Sequence, residues 1–515
     1  MPRFAAIDIG SNSVRMEAAE VEVGAEAGTP PRILASERQV TRLGASVFRT
    51  GLVSGEAMDF LCGVLQQMAA TYKKLNIDTV RAVATAAVRD AGNQQEFLAR
   101  ASAALDSDVE IISGQEEARL IQRGVQSRWP HPNERFLIID IGGGSAEIIL
   151  SEQENLTQAF SKPLGALRLS EMFLKSDPPR PNEVHRMEEY IDEKIQPALR
   201  HLGQVKIDKV IGTSATASAV VCAANAIPRP RREEADRKRA TTAQVRKLYR
   251  DICGMDIAQR QKIVGIGPRR AEIIIPGTAV LLHVLAGLQM SSLHYSTAGL
   301  RDGIIADLAA RGVGKETTQL SFEQRKTAED MAEHYGVSLR HARKVAKLSG
   351  DVFRSLQALH KLPPSYGKLL EAAAYLHDIG HYVSDTRHHK HSFYLVANSD
   401  MPGFTHDERV LVANLCRYHR KALPTAEHSN LQGVAPEDRR AVALLHPLLR
   451  ISDSLDRSHG QRVKSVECKP RETDILVQVT GNSTADVDLE VWAVESLGEI
   501  FKTVYGKTLT VSRVA

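Results

Sequence analysis

The stretches "FAAIDIGSNSVRM", residues 4–16, and "FLIIDIGGGSAEIIL", residues 136–150, decide the fold of this chain of 515 residues. Each is an apolar run that ends in Asp-Ile-Gly and continues into small polar residues. Glycine lets backbone N–H groups approach an anion closely, because no side chain intervenes. A single strand–glycine turn is most often only a turn. Two copies, each followed by a second strand, predict two related halves that face each other across a cleft.

The segments around the two turns alternate strand and helix patterns, which is typical of α/β architecture. Residues 79–105 and 108–129 each predict a strand that runs into a helix. Residues 183–202 predict a helix, and 209–224 predict a strand, a glycine turn and a helix. Charged residues and prolines at 228–242 interrupt the alternation, so we predict a surface loop there.

The predicted secondary structure changes from alternating strands and helices to helices towards the C-terminal end. Residues 320–460 are helical in pattern and contain 13 of the 18 histidines, and the tail returns to strands around one helix at about 492–505. We therefore predict four domains: an α/β lobe at 1–125, a second α/β lobe at 126–312, an all-α domain at 313–462 and a small α+β domain at 463–515.

Composition is that of a globular protein, with 43% hydrophobic and 25% charged residues. A net charge of +4 over 515 residues does not argue for specific nucleic-acid binding, but it permits a local basic cleft. The five cysteines form no CxxC pair, which indicates a reducing compartment. The sequence shows no signal-peptide pattern and no apolar stretch long enough to span a bilayer. We expect a cytoplasmic protein without a membrane partner.

Two adjacent acids, Glu116 and Glu117, open a predicted helix after a short strand. Acids in a first helical turn stabilise the helix through its macrodipole by up to about 1 kcal/mol, which alone could account for both. The alternative is a general base that activates water against a phosphoryl group. A helix N-terminus lowers the pKa of a glutamate, whereas a polyanionic substrate raises it. We therefore expect the base to be best tuned only when substrate is bound.

Three other segments are candidates for anion binding. Arg89 lies near the start of a helix in "ATAAVRDA", and Arg301 lies in "AGLRDG". Gly212, Thr213 and Ser214 form a glycine turn at a helix N-terminus, which is a natural anion site. Taken singly, each arginine is most simply a solvated surface charge.

In this order, "AAIDIGSNSVRM", "ATAAVRDA", "EIISGQEEARL", "LIIDIGGGSAEII", "GTSATA" and "TAGLRDGII" resemble the exopolyphosphatase/guanosine pentaphosphate phosphatase family over residues 1–310. The resemblance implies an actin-like fold of the ribonuclease H-like (ASKHA) class, with duplicated α/β domains around a phosphate-binding cleft. It implies Mg²⁺-dependent hydrolysis of the terminal phosphate of inorganic polyphosphate, or of the 5′ γ-phosphate of guanosine pentaphosphate. It also suggests a homodimer.

The family's site residues carry over to the matched positions of this chain. Glu117, the second acid of its pair, is expected to be catalytic, and Asp140 and Glu147 are expected to bind Mg²⁺. The expected phosphate-binding residues come from both turns and from the three other segments: Asp8, Gly10, Ser11, Asn12, Ser13, Arg89, Gly142, Gly143, Gly144, Ser145, Gly212, Thr213, Ser214 and Arg301. Glu17 and Glu20 depart from the more apolar family pattern, and we expect them to face solvent.

The histidine-rich region resembles a second family. His341, the pair His377-Asp378 and Asp453 lie on three predicted helices, and together they resemble the ligand set of HD-domain phosphohydrolases. Imidazole and carboxylate ligands suit Mn, Fe, Co or Zn better than Mg. The longer members of the polyphosphatase family carry an HD-like domain that is often degenerate, whereas the ligand set is intact here. We therefore expect a transition-metal site.

His391 and His419 are candidates for ligands of a second metal. The alternative for both is a polar network, or basic groups that face a polyanion. A set of basic residues in this region could line a route for a long phosphate chain: His388, His389, Lys390, Arg417, Arg420 and Lys421. Such a chain binds through many weak electrostatic contacts, which predicts strongly salt-dependent affinity.

Several functions stay open at this point. Polyphosphate hydrolysis leads, and guanosine pentaphosphate hydrolysis would use the same residues. The HD-like domain could instead be the main enzyme, a metal-dependent nucleotide phosphohydrolase with the front half as a sensor. A kinase on the same fold is disfavoured by "SGQEEARL", and a non-catalytic polyphosphate or alarmone binder remains an alternative.

Overall fold

A computed structural model describes residues 1–22, 29–311, 318–482 and 486–514. The chain divides into two compact units, Met1–Val313 and Gly314–Ala515. The predicted boundary at 312/313 falls among residues 312–317, which lie outside the described residues. Among the described helices, none combines the length and the apolarity that crossing a bilayer requires.

The first unit contains two mixed sheets. The strands of the first sheet are β1 (Arg3–Ile9), β2 (Ser13–Glu20), β3 (Arg32–Val40), β4 (Thr79–Ala84) and β5 (Val109–Ile111), in the order β3-β2-β1-β4-β5. The strands of the second are β6 (Arg135–Ile141), β7 (Ala146–Glu152), β8 (Asn155–Lys162), β9 (Lys209–Gly212), β10 (Arg239–Thr241) and β11 (Ser292–Tyr295). Their order is β10-β11-β9-β6-β7-β8.

The two sheets repeat one topology. In each, the strand that enters the Asp-Ile-Gly turn pairs antiparallel with the strand that leaves it and parallel with a later strand: β1 with β2 and β4, and β6 with β7 and β9. In each turn the glycine N–H donates to a serine carbonyl, from Gly10 to Ser13 at 3.2 Å and from Gly142 to Ser145 at 3.0 Å. The predicted duplication is therefore confirmed, and the unit has the actin-like fold.

Helices cover both sheets of the first unit. They are α1 (Leu43–Thr50), α2 (Gly55–Lys74), α3 (Ala86–Asp90), α4 (Gln94–Leu105), α5 (Gly114–Arg128), α6 (Ala166–Phe173), α7 (Pro181–Leu202), α8 (Ser214–Ala224), α9 (Thr242–Cys253), α10 (Ile257–Arg260), α11 (Pro268–Ala271), α12 (Ile274–Gly287) and α13 (Leu300–Arg311). The predicted helices at 183–202 and after Gly212 are confirmed. The predicted surface loop at 228–242 instead contains a 3₁₀ helix, Arg229–Ala235, and the edge strand β10.

The predicted boundary at 125/126 is wrong, because it falls inside α5. Helix α13 also returns to the first lobe, where Ile304, Ile305 and Leu308 pack with Phe4 and Val83. Close contact between α5 and α13 depends on glycine. A Cβ added at Gly303 would lie 1.7 Å from the Leu120 carbonyl oxygen. The last helix of the unit therefore fixes α5, the helix that begins with the acidic pair.

The second unit is helical and ends in a three-stranded sheet. Its helices are α14 (Phe322–His334), α15 (Leu339–Ser355), α16 (Gln357–His360), α17 (Ser365–Leu376), α18 (His388–Asn398), α19 (His406–Tyr418), α20 (Pro436–Ser454), α21 (Asp488–Glu495) and α22 (Gly498–Tyr505). Its strands are β12 (Val463–Pro470), β13 (Asp474–Gly481) and β14 (Thr508–Val514), in that order across the sheet.

The C-terminal strands and helices do not form a separate domain. Val463, Val477 and Phe501 belong to the same buried apolar cluster as Leu348 and Leu448 of the helices. The predicted boundary at 462/463 therefore crosses a continuous core. The single helix predicted at about 492–505 is two helices, α21 and α22.

Candidate active site and histidine cluster

The two Asp-Ile-Gly turns lie against each other. A Cβ added at Gly143 would lie 3.1 Å from the Ser11 Cβ and 3.2 Å from the Asn12 nitrogen. A Cβ added at Gly144 would lie 2.5 Å from the Ser11 hydroxyl oxygen. The second turn has Gly143 and Gly144 where the first has Ser11 and Asn12. Side chains at the two glycines would need space that the first turn occupies. The two halves face each other as the sequence predicts.

The first turn is held by its own backbone oxygens and by one hydroxyl. Ser11 is buried; its carbonyl accepts from the Gly44 N–H at 2.7 Å, and its hydroxyl accepts from the Ala87 N–H at 3.1 Å. The Asn12 carbonyl accepts from the N–H groups of Thr41 and Arg42, each at 3.2 Å. These bonds fix the turn to the starts of α1 and α3.

The third loop, Gly212–Thr213–Ser214, holds the second turn. The Thr213 hydroxyl donates to the Asp140 carboxylate, and the Ser214 hydroxyl donates to the Ile141 carbonyl at 3.1 Å. Ser214 has a φ of 67°, a left-handed backbone that a non-glycine residue adopts at a cost. The predicted phosphate-binding loop is thus joined to the turn that carries Asp140.

Glu116 is part of a buried ion-pair network. Its carboxylate accepts from Arg119 at 2.8 Å and from Arg81 at 3.1 Å, and both arginines also pair with Asp307. Burial alone would raise the pKa of Glu116, but the charges of Arg119 and Arg81 outweigh it and lower the pKa. The first acid of the pair is therefore structural.

Glu117 has a different environment. The residue is buried, with 8% of its surface exposed, and its carboxylate lies 3.4 Å from Arg89 Nη1. Burial, helped by the charges of Asp8 and Asp140 and opposed by Arg89, raises the pKa of Glu117 to about 7. We expected the helix N-terminus to lower this pKa in the absence of substrate. That expectation is wrong, because desolvation dominates.

Four carboxyl groups share this part of the cleft: Asp8, Glu117, Asp140 and Glu147. Burial is the main cause of the raised pKa of each of the four groups. Glu147 has only 1% of its surface exposed. The charges of Glu117 and Asp140 raise the pKa of Glu147 further. Carboxylate oxygens are the ligands that Mg²⁺ prefers, and a divalent cation would neutralise their repulsion. The residues present therefore fit Mg²⁺.

Arginines that the sequence reasoning missed lie beside these acids. Desolvation lowers the pKa of Arg15, of Arg38 to about 10 and of Arg270 to about 9. The charge of Arg15 lowers the pKa of Arg38 and of Arg270 further. Within the described residues, none of the three has a carboxylate within ion-pair distance. Arg270 donates to the Thr216 hydroxyl at 3.2 Å. We call these three the arginine group. The position of Arg15, directly after "DIGSNSV", was the available signal.

Arg89 and Arg301 are both held in place. Arg89 Nη1 donates to the Ile112 carbonyl at 2.8 Å, and Arg301 Nη1 lies 3.4 Å from Glu17 Oε2. The expectation that Glu17 and Glu20 face solvent is wrong. Each has 8% of its surface exposed, because Glu17 pairs with Arg301 and Glu20 pairs with two arginines of the same sheet.

The second unit brings together the four predicted ligands of one metal, His419 as a predicted candidate for a second, and His388. We call His341, His377, Asp378, His388, His419 and Asp453 the histidine cluster. The Asp453 Oδ1 lies 3.6 Å from His341 Nε2 and 3.5 Å from His377 Nε2. The predicted ligands His341, His377 and Asp378 have donor atoms close enough to share one ion.

His388 and His381, not His391, lie beside His419 on the other side of Asp378, and His381 Nε2 is 3.7 Å from Asp378 Oδ1. His388 Nε2 lies 3.6 Å from Asp378 Oδ1 and 3.1 Å from His419 Nε2. His391 lies one turn further along α18 and forms none of these contacts. The predicted role of His419 is thus compatible with its place, whereas His391 does not lie beside Asp378 as predicted.

The histidine cluster opens into a cavity of about 850 Å³. Arg420, Lys421 and Arg457 line this cavity, together with His459, whose ring stacks on His341. Arg420 and Lys421 belong to the basic set that the sequence analysis proposed for a polyanion. His389 does not face such a route, because only 3% of its surface is exposed.

Comparison with known proteins identifies the family of both units. The Ppx/GppA phosphatase family matches residues 21–311, and domain III of the Ppx/GppA phosphatases matches residues 324–495. The structure of the Ppx/GppA enzyme of Aquifex aeolicus is similar at 28% identity and a TM-score of 0.52, covering 60% of this chain and 99% of that one.

An exopolyphosphatase from Cytophaga hutchinsonii is similar at 26% identity and a TM-score of 0.54, covering 60% of this chain and 97% of its own. An exopolyphosphatase-like protein is similar at 28% identity and a TM-score of 0.56, covering 59% of this chain and 97% of that one. From the family matches, which extend over most of its length, the chain belongs to the Ppx/GppA phosphatase family.

Proposed function

We propose that the first unit is an exopolyphosphatase that removes the terminal phosphate of inorganic polyphosphate, with Glu117 as general base. The observation that carries the proposal is the contrast between two adjacent acids. Glu116 is neutralised by arginines, whereas Glu117 is a buried carboxyl with a pKa of about 7 beside both turns. A base whose pKa lies near the working pH is the most effective one.

The reaction requires one proton transfer and one displacement at phosphorus. Glu117 accepts a proton from water, the water oxygen bonds to the terminal phosphorus, and the bond to the bridging oxygen breaks. Backbone N–H groups of the two turns are suited to stabilise the charge that develops on the transferred group. Mg²⁺ held by Asp140 and Glu147, with Asp8 nearby, would neutralise phosphate charge when bound.

The arginine group supports a substrate with several phosphates in line. Arg15 and Arg270 are half-buried cations close to the acids, and Arg38 is an exposed cation close to Arg15. An anion would relieve the repulsion that Arg15 exerts on the other two. Guanosine pentaphosphate is the alternative substrate, since it too presents a terminal phosphate with further phosphates behind it. A cytoplasmic homodimer is part of the proposal on the strength of the family resemblance.

The test is phosphate release from long-chain polyphosphate, guanosine pentaphosphate and ATP. We expect polyphosphate to be the best substrate and Glu117→Gln to lose at least about 100-fold in kcat, as removal of a general base does. Glu189→Gln, an exposed acid on α7, is the matched control. Full activity of Glu117→Gln would overturn the mechanism. If only His377→Ala/Asp378→Ala abolished phosphate release, the second unit would be the enzyme and the first a sensor.

A further inference from the structure

We propose that Arg168 is a positioning residue for the reaction of the first unit. Its side chain orients the Gly144–Ser145 peptide of the second turn, so that the N–H of this peptide faces the phosphate that is transferred. The inference rests on the proposed function, which assigns the N–H groups of the two turns to that phosphate. Arg168 acts through the backbone of the turn and does not itself contact substrate.

Helix α6 binds the carbonyl groups of the second turn. The Gly142 carbonyl accepts from the Ala166 N–H at 3.0 Å. The Gly143 carbonyl accepts from the N–H groups of Leu167 and Arg168, each at 3.0 Å. These three donors belong to the first turn of α6, where N–H groups have no acceptor within the helix. The N-terminal end of α6 therefore holds one side of the turn.

The Gly144 carbonyl is bound by a side chain instead. Arg168 Nε donates to it at 2.7 Å. The peptides of this turn are trans, and in a planar trans peptide the carbonyl and the following N–H point in opposite directions. Because the carbonyls of residues 142–144 point towards α6, the N–H groups of residues 143–145 point away from it. The bond from Arg168 fixes the last of these three N–H groups, that of Ser145.

The Arg168 guanidinium is itself held by two residues of the first lobe. Its Cζ lies 4.0 Å from the centroid of the Phe48 ring on α1, and its Nη2 donates to the carboxylate of Asp90, the last residue of α3. Only 14% of the side chain is exposed. A planar guanidinium that stacks on a ring and donates from two nitrogens has little freedom to rotate. The direction of its Nε donor is therefore set by contacts with both lobes.

An effect of Arg168 through α3 is distinguishable from an effect through the turn. Asp90 follows Arg89, whose guanidinium lies 3.4 Å from the Glu117 carboxylate. The charge of Arg89 lowers the pKa of Glu117, so a displaced Arg89 would shift the pH dependence of the reaction to higher pH. A change confined to the Gly144–Ser145 peptide would lower the rate without that shift.

Arg168→Lys removes the bond to the turn and keeps the positive charge. Lysine has a carbon atom where arginine has Nε, and its charged nitrogen lies one bond further out, towards Asp90. We expect kcat for phosphate release from long-chain polyphosphate to fall at least about tenfold, with KM changed less than about threefold, because a donor aimed at developing charge acts mainly on kcat. Wild-type kcat in this variant would overturn the inference, as would a shift of the pH midpoint of kcat/KM to higher pH.

Two further variants show whether the turn or the contact between the lobes matters. Asp90→Asn removes an ion pair whose carboxylate side chain is 43% exposed and leaves the Nε donor, so it should lose less than about threefold in kcat. Arg49→Gln removes another contact of α1 with α6, since Arg49 lies 3.9 Å from Glu171, and it should keep the wild-type kcat. If Asp90→Asn loses as much as Arg168→Lys, or if Arg49→Gln loses activity as well, Arg168 acts by joining the lobes and the inference is wrong.

Folding and the proposed function are checked separately. The Tm of each variant shows whether it is folded at the assay temperature. If Arg168→Lys is unfolded, Phe48→Leu/Asp90→Asn decides, because it frees the guanidinium without removing Nε. Its kcat should then fall at least about threefold at an unchanged pH midpoint, and wild-type kcat would overturn the inference. Full activity of Glu117→Gln would refute the proposed function whatever the Arg168 variants show. Wild-type kcat in Arg168→Lys, with Glu117→Gln inactive, would refute only the positioning role.

Discussion

Arg15 and Glu147 occupy the same position of the two duplicated hairpins. Arg15 lies directly opposite Asp8 across β1 and β2, and Glu147 lies directly opposite Asp140 across β6 and β7. The same fold therefore presents a cation from one half and a second acid from the other. The duplication accounts for the cleft. In the proposed function, Arg15 would contact substrate phosphate and Glu147 would bind Mg²⁺.

Arg15→Gln should weaken substrate binding. Arg15 belongs to the arginine group, so its loss removes a cation that we place against phosphates behind the terminal one. We expect KM for polyphosphate to rise about tenfold, equivalent to about 1.4 kcal/mol, with a much smaller change in kcat. Steady-state kinetics measure both. Arg32→Gln, an exposed arginine of the same sheet, is the control. An unchanged KM would show that Arg15 does not contact substrate.

Glu147→Gln should make the Mg²⁺-free protein more stable and insensitive to Mg²⁺. Burial and the charges of Glu117 and Asp140 raise the pKa of Glu147, so its ionised form destabilises the fold. Thermal melting at pH 8 should show a higher Tm for the variant without Mg²⁺. Added Mg²⁺ should raise the Tm of the wild type only. If Mg²⁺ stabilises both proteins equally, Glu147 is not a Mg²⁺ ligand.

Much of the first unit could be predicted because its signals are local. The two turns, the strands around them and the choice of Glu117 over Glu116 follow from residue patterns and from matched motifs. The arginine group could not be found in this way. Arg15, Arg38 and Arg270 are brought together by β2, β3 and α11, and no local spacing in the sequence relates them.

The predictions that were wrong have the same cause as the missed arginine group, namely contacts between segments far apart in the sequence. His391 is predicted, with His419, as a candidate ligand of a second metal, but the path of the chain between α17 and α18 places His388 against Asp378 instead. The predicted lobe boundary falls inside α5, and α13, at the end of the unit, packs back on the first lobe. Both features depend on the tertiary structure. No repeating pattern in the sequence indicates which histidine lies beside Asp378 or which helix packs on an earlier sheet.

Gly303→Ala should inactivate the first unit by moving α5. The added Cβ would meet the Leu120 carbonyl at 1.7 Å, and both atoms belong to tightly packed helices. Overpacking of this kind costs about 1–3 kcal/mol. The resulting shift would displace Glu117, which lies one turn before Leu120. Phosphate release should fall sharply together with the Tm. Gly299→Ala is the matched control, because a Cβ there meets nothing within 4 Å. Normal activity of Gly303→Ala would show that α5 does not depend on this contact.

The pH dependence of activity should report the Glu117 carboxyl. Its pKa of about 7 means that the carboxylate able to accept a proton forms between about pH 6 and 8, so kcat/KM should rise through this range. Arg89 opposes the raised pKa, because its charge stabilises the carboxylate. Arg89→Gln should therefore shift the midpoint to higher pH, whereas Arg49→Gln, an exposed arginine on α1, should not.

The Glu117 carboxyl should lower the free energy of unfolding at high pH. Its pKa is raised from 4.5 to about 7 in the folded protein, so the folded state holds the proton more tightly and loses stability as pH rises between these two values. Glu117→Gln cannot ionise, and it should gain up to about 3 kcal/mol over the wild type at pH 8 relative to pH 4 to 5. Urea unfolding of both proteins across this range measures the difference. A constant difference between them would mean that Glu117 does not titrate in the folded protein as its burial requires.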